Sequence, residues 1–164
     1  MSFLSLIFMS TVGLKSWDQS MVYKLEFDPK SRDLVSILEN NSDSSVFIVT
    51  NTADSGSSLH FRKKDSGQSG LGSNEISPST DERHALDVLP KEVLGELKAG
   101  EKRRGTVSLK PIWSAEEFKI GSLTYSSKAL RGSLVRASVE LRKSAAEKSG
   151  SLILESNEIE LPSK

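Results

Sequence analysis

The chain has 164 residues, 36% of them hydrophobic and 27% charged, and its 22 basic and 22 acidic residues cancel to a formal net charge of zero. These values indicate one soluble globular domain with its own core, and they argue against a dedicated nucleic-acid binder, which carries a basic excess. The sequence contains no cysteine, which excludes disulfides, thiolate catalysis and cysteine-based zinc sites.

The N-terminus carries an apolar run, FLSLIFMSTVGL, from Phe3 to Leu14. The run is shorter than the ~20 residues that span a bilayer, and it has the length of a signal-peptide core. No basic residue precedes it and no A-x-A cleavage motif follows it, so a first strand or hydrophobic arm stays open as the alternative. We interpret residues 1–20 as a signal-like or hydrophobic N-terminal segment, which favours the secretory pathway over the cytoplasm and allows membrane association.

Apolar and polar residues alternate with a period of two through most of the remaining chain, as in VYKLEF (22–27) and LVRASVELR (134–142). This period is typical of strands with one buried face. DLVSILE, VFIVT and SLILESNEIEL add further strands, with a bulge expected near Ser156. The one helical prediction is PKEVLGEL (90–97), with Pro90 at the first helical position.

The strand pattern predicts the fold class. About seven to nine short strands with turns every 8–12 residues are typical of an all-β, Ig-like antiparallel β-sandwich. We predict a single such domain over residues 21–164, with one long mobile loop at residues 62–83, where serine, glycine and charged residues dominate.

The stretch LKAGEKRRGTVSLKPIWSAEEFKIGSLTY (97–125) predicts a polar turn, a strand TVSLKPI and a second strand FKIGSLTY. Pro111 cannot donate a ladder hydrogen bond, so it favours a sheet edge or a strand end. Lys102, Arg103 and Arg104 lie before this strand and Trp113 after it. Two interpretations follow: Trp113 packs at the core and the basic turn is simply solvated, which is the usual role of such residues, or this edge is an interface that Trp113 and the basic triplet serve.

Three pieces of this region resemble a known family: ALDV (85–88), Thr106 to Pro111, and Phe118 to Tyr125. In that order they are similar to the late half of Ig-like modules in secretory-pathway complexes, such as the lumenal domain of the translocon-associated protein beta subunit and Ig-like domains of trafficking-complex subunits. The resemblance covers about 40 residues and implies a non-enzymatic subunit that binds protein partners. That family carries a transmembrane helix after its domain, whereas the sequence here ends at IELPSK with no apolar stretch.

Other sequence features suggest further sites. Arg62, Lys63 and Lys64 form a second basic triplet, which would join the first in a six-charge patch if both lay at one end of the sandwich. Such a patch would bind a partner, nucleic acid or acidic lipid. Asn40 heads an N-x-S sequon in a turn, which predicts glycosylation in the secretory pathway.

Catalytic chemistry has little support. His84 with Asp81 or Asp87 defines an alternative hypothesis of a small hydrolase or metal-dependent enzyme, although these near-adjacent residues would splay apart on a strand. The main hypothesis is a non-enzymatic binding or structural subunit of a larger complex, with protein partners and with no metal, cofactor or nucleic acid.

Overall fold

The structure is a computed structural model, and it describes residues 17–51, 58–64, 74–82, 92–146 and 150–164. Several sequence-based predictions fall outside these ranges: the apolar run Phe3–Leu14, the centre of the expected loop at 65–73, and the stretch 83–91 with His84, Asp87 and ALDV. Among the described residues, no helix has the length and apolar character needed to cross a membrane.

The described chain is built almost entirely from antiparallel strands. A short 3-10 turn at Trp17–Ser20 leads into the first of them. The strands are β1 (Met21–Asp28), β2 (Asp33–Asn40), β3 (Val46–Asn51), β4 (Ser58–Arg62), β5 (Thr80–Asp81), β6 (Glu92–Leu97), β7 (Lys102–Ser108), β8 (Glu117–Ile120), β9 (Leu123–Ser126), β10 (Leu134–Arg142), β11 (Leu152–Glu155) and β12 (Ile159–Glu160). Two single-turn helices, α1 (Pro111–Ser114) and α2 (Ser127–Leu130), flank β8 and β9.

The strands form three sheets. Sheet A has the order β1-β2-β7, and sheet B has the order β11-β10-β3-β6, with β4 and β12 also paired to β10. A small sheet C of β5, β9 and β8 covers one part of the core. Every pairing is antiparallel. The predicted all-β antiparallel sandwich is confirmed, and the described strands outnumber the expected seven to nine because several have only two to four residues.

The alternation seen in the sequence is the alternation of burial. In β10, Val135, Ala137, Val139 and Leu141 are buried while the residues between them are partly exposed, and β1 follows the same rule over its first half. Phe61 of β4 stacks edge-on against Phe118 and Tyr125 at ring distances of 6.4 and 5.3 Å. These contacts join sheets B and C. The apolar area removed from water by this core is the main stabilising term of the fold.

The predicted helical turn at residues 90–97 is wrong for the part that the structure describes. Residues 92–97 form strand β6, which pairs with β3 from Val46↔Leu97 to Asn51↔Glu92. The reason is long-range. The backbone groups along the outer edge of β3 need hydrogen-bond partners, and β6 provides them. Burial of Leu97 in the core holds β6 in this position.

The region from 97 to 125 also differs from its prediction. The basic triplet 102–104 begins strand β7 instead of forming a turn, and Pro111 opens helix α1, where its missing N–H costs nothing. FKIGSLTY is a hairpin of β8 and β9 and not one strand, because Gly121 turns the chain with a φ of 56°. Near Ser156, where a bulge is expected, β11 ends before β12 begins, and the register against β10 shifts by one residue between Glu155↔Ser138 and Ile159↔Val135.

The register defines two ends of the sandwich. At one end β2 finishes at Asn40, and β3 and β7 begin; we call it the Asn40 end. The opposite end carries the β1–β2 turn, the first residue of β10, and Trp113, whose ring lies 6.0 Å from that of Phe27. We call it the Trp113 end.

Candidate partner-binding site

The two basic triplets lie at opposite ends of the sandwich. Arg62 pairs in the ladder with Leu134, which is the first residue of β10 and belongs to the Trp113 end. Lys102 pairs with Glu39, beside Asn40. The condition for a joint six-charge patch is therefore not met, and a nucleic-acid or acidic-lipid surface built from both triplets loses its geometric basis.

Most of these basic side chains are held by carboxylates within the domain. Arg62 donates two hydrogen bonds to Glu158, at 2.6 and 2.7 Å, and lowers the pKa of that carboxyl. Lys64 bonds Glu160 at 2.8 and 2.9 Å. These pairs fix the C-terminal segment to β4 and leave Lys63 as the exposed cation of this triplet with no described ion pair.

The triplet on β7 shows the same pattern. Lys102 bonds Glu39 at 3.0 Å and lowers its pKa. Arg103 donates to the backbone oxygen of Glu96 at 2.6 Å and contacts the Glu101 carboxylate at 3.3 Å. Arg104 is exposed, and within the described part of the chain no ion pair engages it. Of the three residues, Arg104 is therefore the one whose charge is available to a partner.

Trp113 is half-buried and packs at the edge of the core. Its Nε1 donates to the backbone oxygen of Pro162 at 3.2 Å, and the guanidinium carbon of Arg32 lies 4.7 Å from the ring centroid. Arg32 itself has a φ of 56°, which is uncommon for a residue with a side chain. These contacts favour the packing interpretation of Trp113, which lies beyond the C-terminal end of β7.

The predicted glycosylation of Asn40 stays a prediction, and the surroundings of the side chain argue against it. The side chain is completely buried, and its Nδ2 donates to the backbone oxygens of Ser44, Leu97 and Lys98 at 2.9 to 3.1 Å. Its Oδ1 accepts hydrogen bonds from the N–H and hydroxyl of Ser42. A glycan on Nδ2 would break this network, so the sequon here encodes a turn held by an asparagine and a serine.

Several other polar clusters in the described chain belong to the scaffold. The Arg142 guanidinium is nearly buried, and its contacts with Glu92, at 2.6 Å, and Glu140, at 3.1 Å, raise its pKa. His60 Nε2 lies 2.9 Å from Ser138 Oγ across β4 and β10, a contact that sequence patterns do not predict. The described residues contain no group of three or more side chains suited to hold a metal.

Sheets A and B meet along two sides of the sandwich, where the edge strand of one sheet lies beside the edge of the other. We call these two sides the β1 seam and the β7 seam, after the edge strands of sheet A, and they differ. Along the β1 seam, the side-chain amide of Asn157 accepts from Leu25 N at 2.8 Å and donates to Leu25 O at 3.1 Å. This amide takes the place of a neighbouring strand, because it satisfies one outward-facing residue of β1. The C-terminal segment thereby closes the β1 seam.

Among the residues that the structure describes, the β7 seam, between β7 and β6, is closed at the Asn40 end by Arg103. There Arg103 crosses Gly95, whose missing Cβ would lie 3.1 Å from the guanidinium. Farther along β6, Val93 lies on the same face of sheet B as Ile48. Ile48 is buried in the core, whereas Val93 is 46% exposed. Sheet A does not cover it. Within the described ranges, this side of the sandwich is therefore left open beside Val93.

The outer edge of β7 carries unpaired backbone groups. Leu109 N–H donates to Arg32 O, which fixes the alternation of the β2–β7 ladder, so Gly105 bonds to β2 while the backbone groups of Arg104 and Thr106 point outward. Within the described ranges no hydrogen bond engages those outward groups. Six of the seven β7 residues are exposed.

A groove of about 170 Å³ lies beneath this edge. It is lined by Tyr23, Leu25, Leu34, Ser36, Leu59, Gly105, Thr106 and Val107. A Cβ on Gly105 would lie 2.7 Å from Ser36 Oγ, so only glycine leaves this approach clear. Sequence analysis pointed to this strand through Pro111 and the basic triplet, but it missed Gly105 and Ser36.

No protein-family model matches the chain, and no curated protein matches it in sequence. Among solved structures, the ASH / PapD-like domain of human CEP192 (PapD-like domain 7) is similar over 99% of this chain and 98% of that chain, with 11% sequence identity and a TM-score of 0.39. This distant likeness does not bear on the site. The resemblance to the translocon-associated beta subunit stays a prediction.

Proposed function

We propose that this chain is a non-enzymatic protein-binding domain that receives an extended segment of a partner protein at the outer edge of β7. The observation that carries the proposal is the contrast between the two seams. One seam is closed by Asn157, and the other presents the outward backbone groups of Arg104 and Thr106 above an apolar groove. An exposed edge of this kind accepts a strand from another chain.

Natural sheets protect their edges with charge, proline or a covering segment. Lys102 and Arg103 supply charge at the Asn40 end of β7, and their pairing with Glu39, Glu101 and Glu96 O keeps that end closed. The stretch from Arg104 onward has no such internal pairing among the described residues. We therefore expect the partner to begin its contact at Arg104 and to run toward the Trp113 end.

The test compares Thr106→Pro with Thr106→Val. Proline removes the outward N–H and blocks a neighbouring strand, whereas valine keeps the N–H and the strand preference. The Thr106 N–H makes no described bond within the domain, so Thr106→Pro should change the free energy of unfolding by less than about 1 kcal/mol. Each variant is used to capture partners from cell extract, and the captured protein is then identified by mass spectrometry.

The expected result is a partner retained by the wild type and by Thr106→Val and lost with Thr106→Pro. Amide hydrogen exchange supplies the direct readout, because the Arg104 and Thr106 amides should become protected when the purified partner is added. A partner that binds all three proteins equally, with no new protection in β7, contradicts the proposal.

The location of this activity rests on the sequence alone. We propose the secretory or membrane-trafficking pathway because of the signal-like run Phe3–Leu14, and the burial of Asn40 removes the sequon as support for it. Expression of the chain with a C-terminal fluorescent tag tests this, since diffuse cytoplasmic fluorescence and an intact N-terminus by mass spectrometry would exclude a cleaved signal. The hydrolase alternative that uses His84 lies outside the described residues and gains no support.

A further inference from the structure

The groove beneath β7 limits which segment the edge accepts. A strand added to β7 places each side chain on the same face as the β7 residue opposite to it. Gly105 and Val107 lie on the same face of sheet A as Ser36 and Leu34, toward the groove, and the exposed side chains of Arg104 and Thr106 lie on the other face. A partner residue opposite Gly105 therefore points into the groove, and its neighbours point outward.

The position opposite Gly105 is suited to a large side chain. It belongs to a pair without hydrogen bonds across the new ladder, in which facing side chains lie closest. Gly105 contributes no side chain, so the space above Ser36 and between Leu34 and Leu59 is left to the partner. The lining is mainly apolar, which favours leucine, isoleucine, methionine or phenylalanine at this position.

The position opposite Arg104 is suited to an acidic residue. Arg104 faces outward beside Ile37, and no described carboxylate neutralises it, in contrast to Lys102 and Arg103. Opposite charges that face each other across an antiparallel pair stabilise the pairing, and like charges oppose it. The charge here therefore selects between partners more than it adds affinity.

We propose that the segment of the partner protein that pairs with β7 is an extended peptide. It carries a large apolar residue opposite Gly105 and, next to it, an acidic residue opposite Arg104. This inference rests on the proposed function, because it specifies the occupant of the same edge.

A second copy of this chain fits the charge requirement less well. In an antiparallel β7–β7 pair centred on Arg104, Gly105 or Thr106, the residue opposite Arg104 is Arg104, Thr106 or Ser108, and none of these carries a negative charge. A hetero-partner with an aspartate or glutamate at that position is therefore favoured, and self-association is an outcome that the experiment must be able to detect.

The experiment selects phage-displayed random twelve-residue peptides on the full chain and measures the affinity of enriched peptides by fluorescence anisotropy. We expect enriched peptides to share a large apolar residue beside an acidic residue. Their affinity should fall at least about tenfold for Thr106→Pro and stay within about twofold for Thr106→Val, since a tenfold change corresponds to the loss of one to two hydrogen bonds.

Two variants test the groove. Gly105→Ala is made in a Ser36→Ala background, which removes the hydroxyl that the new Cβ would meet, and Ser36→Ala alone is its control. Leu59→Phe fills the groove from β4 and serves if the first variant does not fold. Each should weaken peptides with a large apolar residue by at least about fivefold and leave peptides with alanine there unaffected.

A charge exchange tests Arg104. Arg104→Glu should weaken the binding of the enriched peptides and restore the binding of the same peptides when their acidic residue is replaced by lysine.

Peptides whose binding depends on Thr106 but shows no apolar preference, or does not change with the groove and charge variants, overturn the inference and leave the proposed function standing. If no peptide is enriched, or if enriched peptides ignore Thr106→Pro, both fail. A wild-type dimer in sedimentation that Thr106→Pro converts to monomer assigns the edge to a second copy and also overturns the inference.

Discussion

Replacing Asn40 by alanine removes the amide at which three parts of the chain meet. Its Nδ2 joins the end of β2 to Ser44 before β3 and to Leu97 and Lys98 at the end of β6, and its Oδ1 holds Ser42. The residue is completely buried, so water cannot replace the lost partners without opening the Asn40 end. The perturbation therefore reports on how sheets A and B are joined there.

The magnitude follows from the number of bonds lost. An intramolecular hydrogen bond contributes about 0.5–1.5 kcal/mol net, and a buried group left without its partner costs about 1–3 kcal/mol. Only the bond to Leu97 is fully buried and the others are partly exposed. We expect Asn40→Ala to lower the free energy of unfolding by about 2–4 kcal/mol. Asn40→Asp should cost at least as much at neutral pH, because it places a carboxylate against backbone carbonyl oxygens.

The assay is urea unfolding followed by tryptophan fluorescence, with the midpoint and slope fitted together. Asn41→Ala is the matched control, because the neighbouring side chain is exposed, and it should change the free energy of unfolding by less than about 0.5 kcal/mol. A loss below about 1 kcal/mol for Asn40→Ala would refute the reasoning. So would folded, secreted protein that carries a glycan on Asn40.

Two further predictions use urea unfolding followed by far-UV circular dichroism, because Trp113→Ala removes one of the two tryptophans on which the fluorescence signal depends. Trp113→Ala should lower the free energy of unfolding by about 1.5–3 kcal/mol, because it removes the ring that packs against Phe27. The loss is smaller than for a fully buried tryptophan because the Trp113 ring is half-buried. A change below about 0.5 kcal/mol would return Trp113 to the exposed-anchor interpretation. For Glu158, whose folded pKa is lowered from 4.5 by Arg62, the stabilisation is present above pH 4.5 and is lost as the pH falls through the folded value. Glu158→Gln should therefore reduce the loss of stability between pH 5 and pH 3, and an unchanged pH profile would contradict this.

The strands were predictable where one face of the strand is buried and the other is exposed to solvent. The segment LVRASVELR alternates because β10 lies in the middle of sheet B, with the core on one side only. Residues 92–97 were not predictable in this way. Val93, Leu94 and Leu97 also fit one face of a short helix, and the choice was made by pairing with β3, which lies more than forty residues earlier in the chain.

The candidate site was predictable in part for the same reason. Proline and a basic triplet indicated a strand near an edge, and β7 is an edge strand. Which basic residues are available to a partner depended on distant carboxylates: Glu39 lies 63 residues from Lys102, and Glu158 lies 96 residues from Arg62. A single sequence shows the charges, whereas only the fold shows which of them are already paired.

The two seams support the proposal that the open edge is a binding site and not a defect of packing. Asn157 shows that this fold can close a seam with one side chain, at the position where β1 would otherwise expose its backbone. On the β7 side, glycine stands at 105, opposite Ser36, where any side chain would have to displace the Ser36 hydroxyl. Glycine in a strand lowers stability because it adds backbone entropy to the unfolded chain and packs nothing. A position that gives up stability and leaves a groove open is best explained when the missing side chain is supplied by a partner.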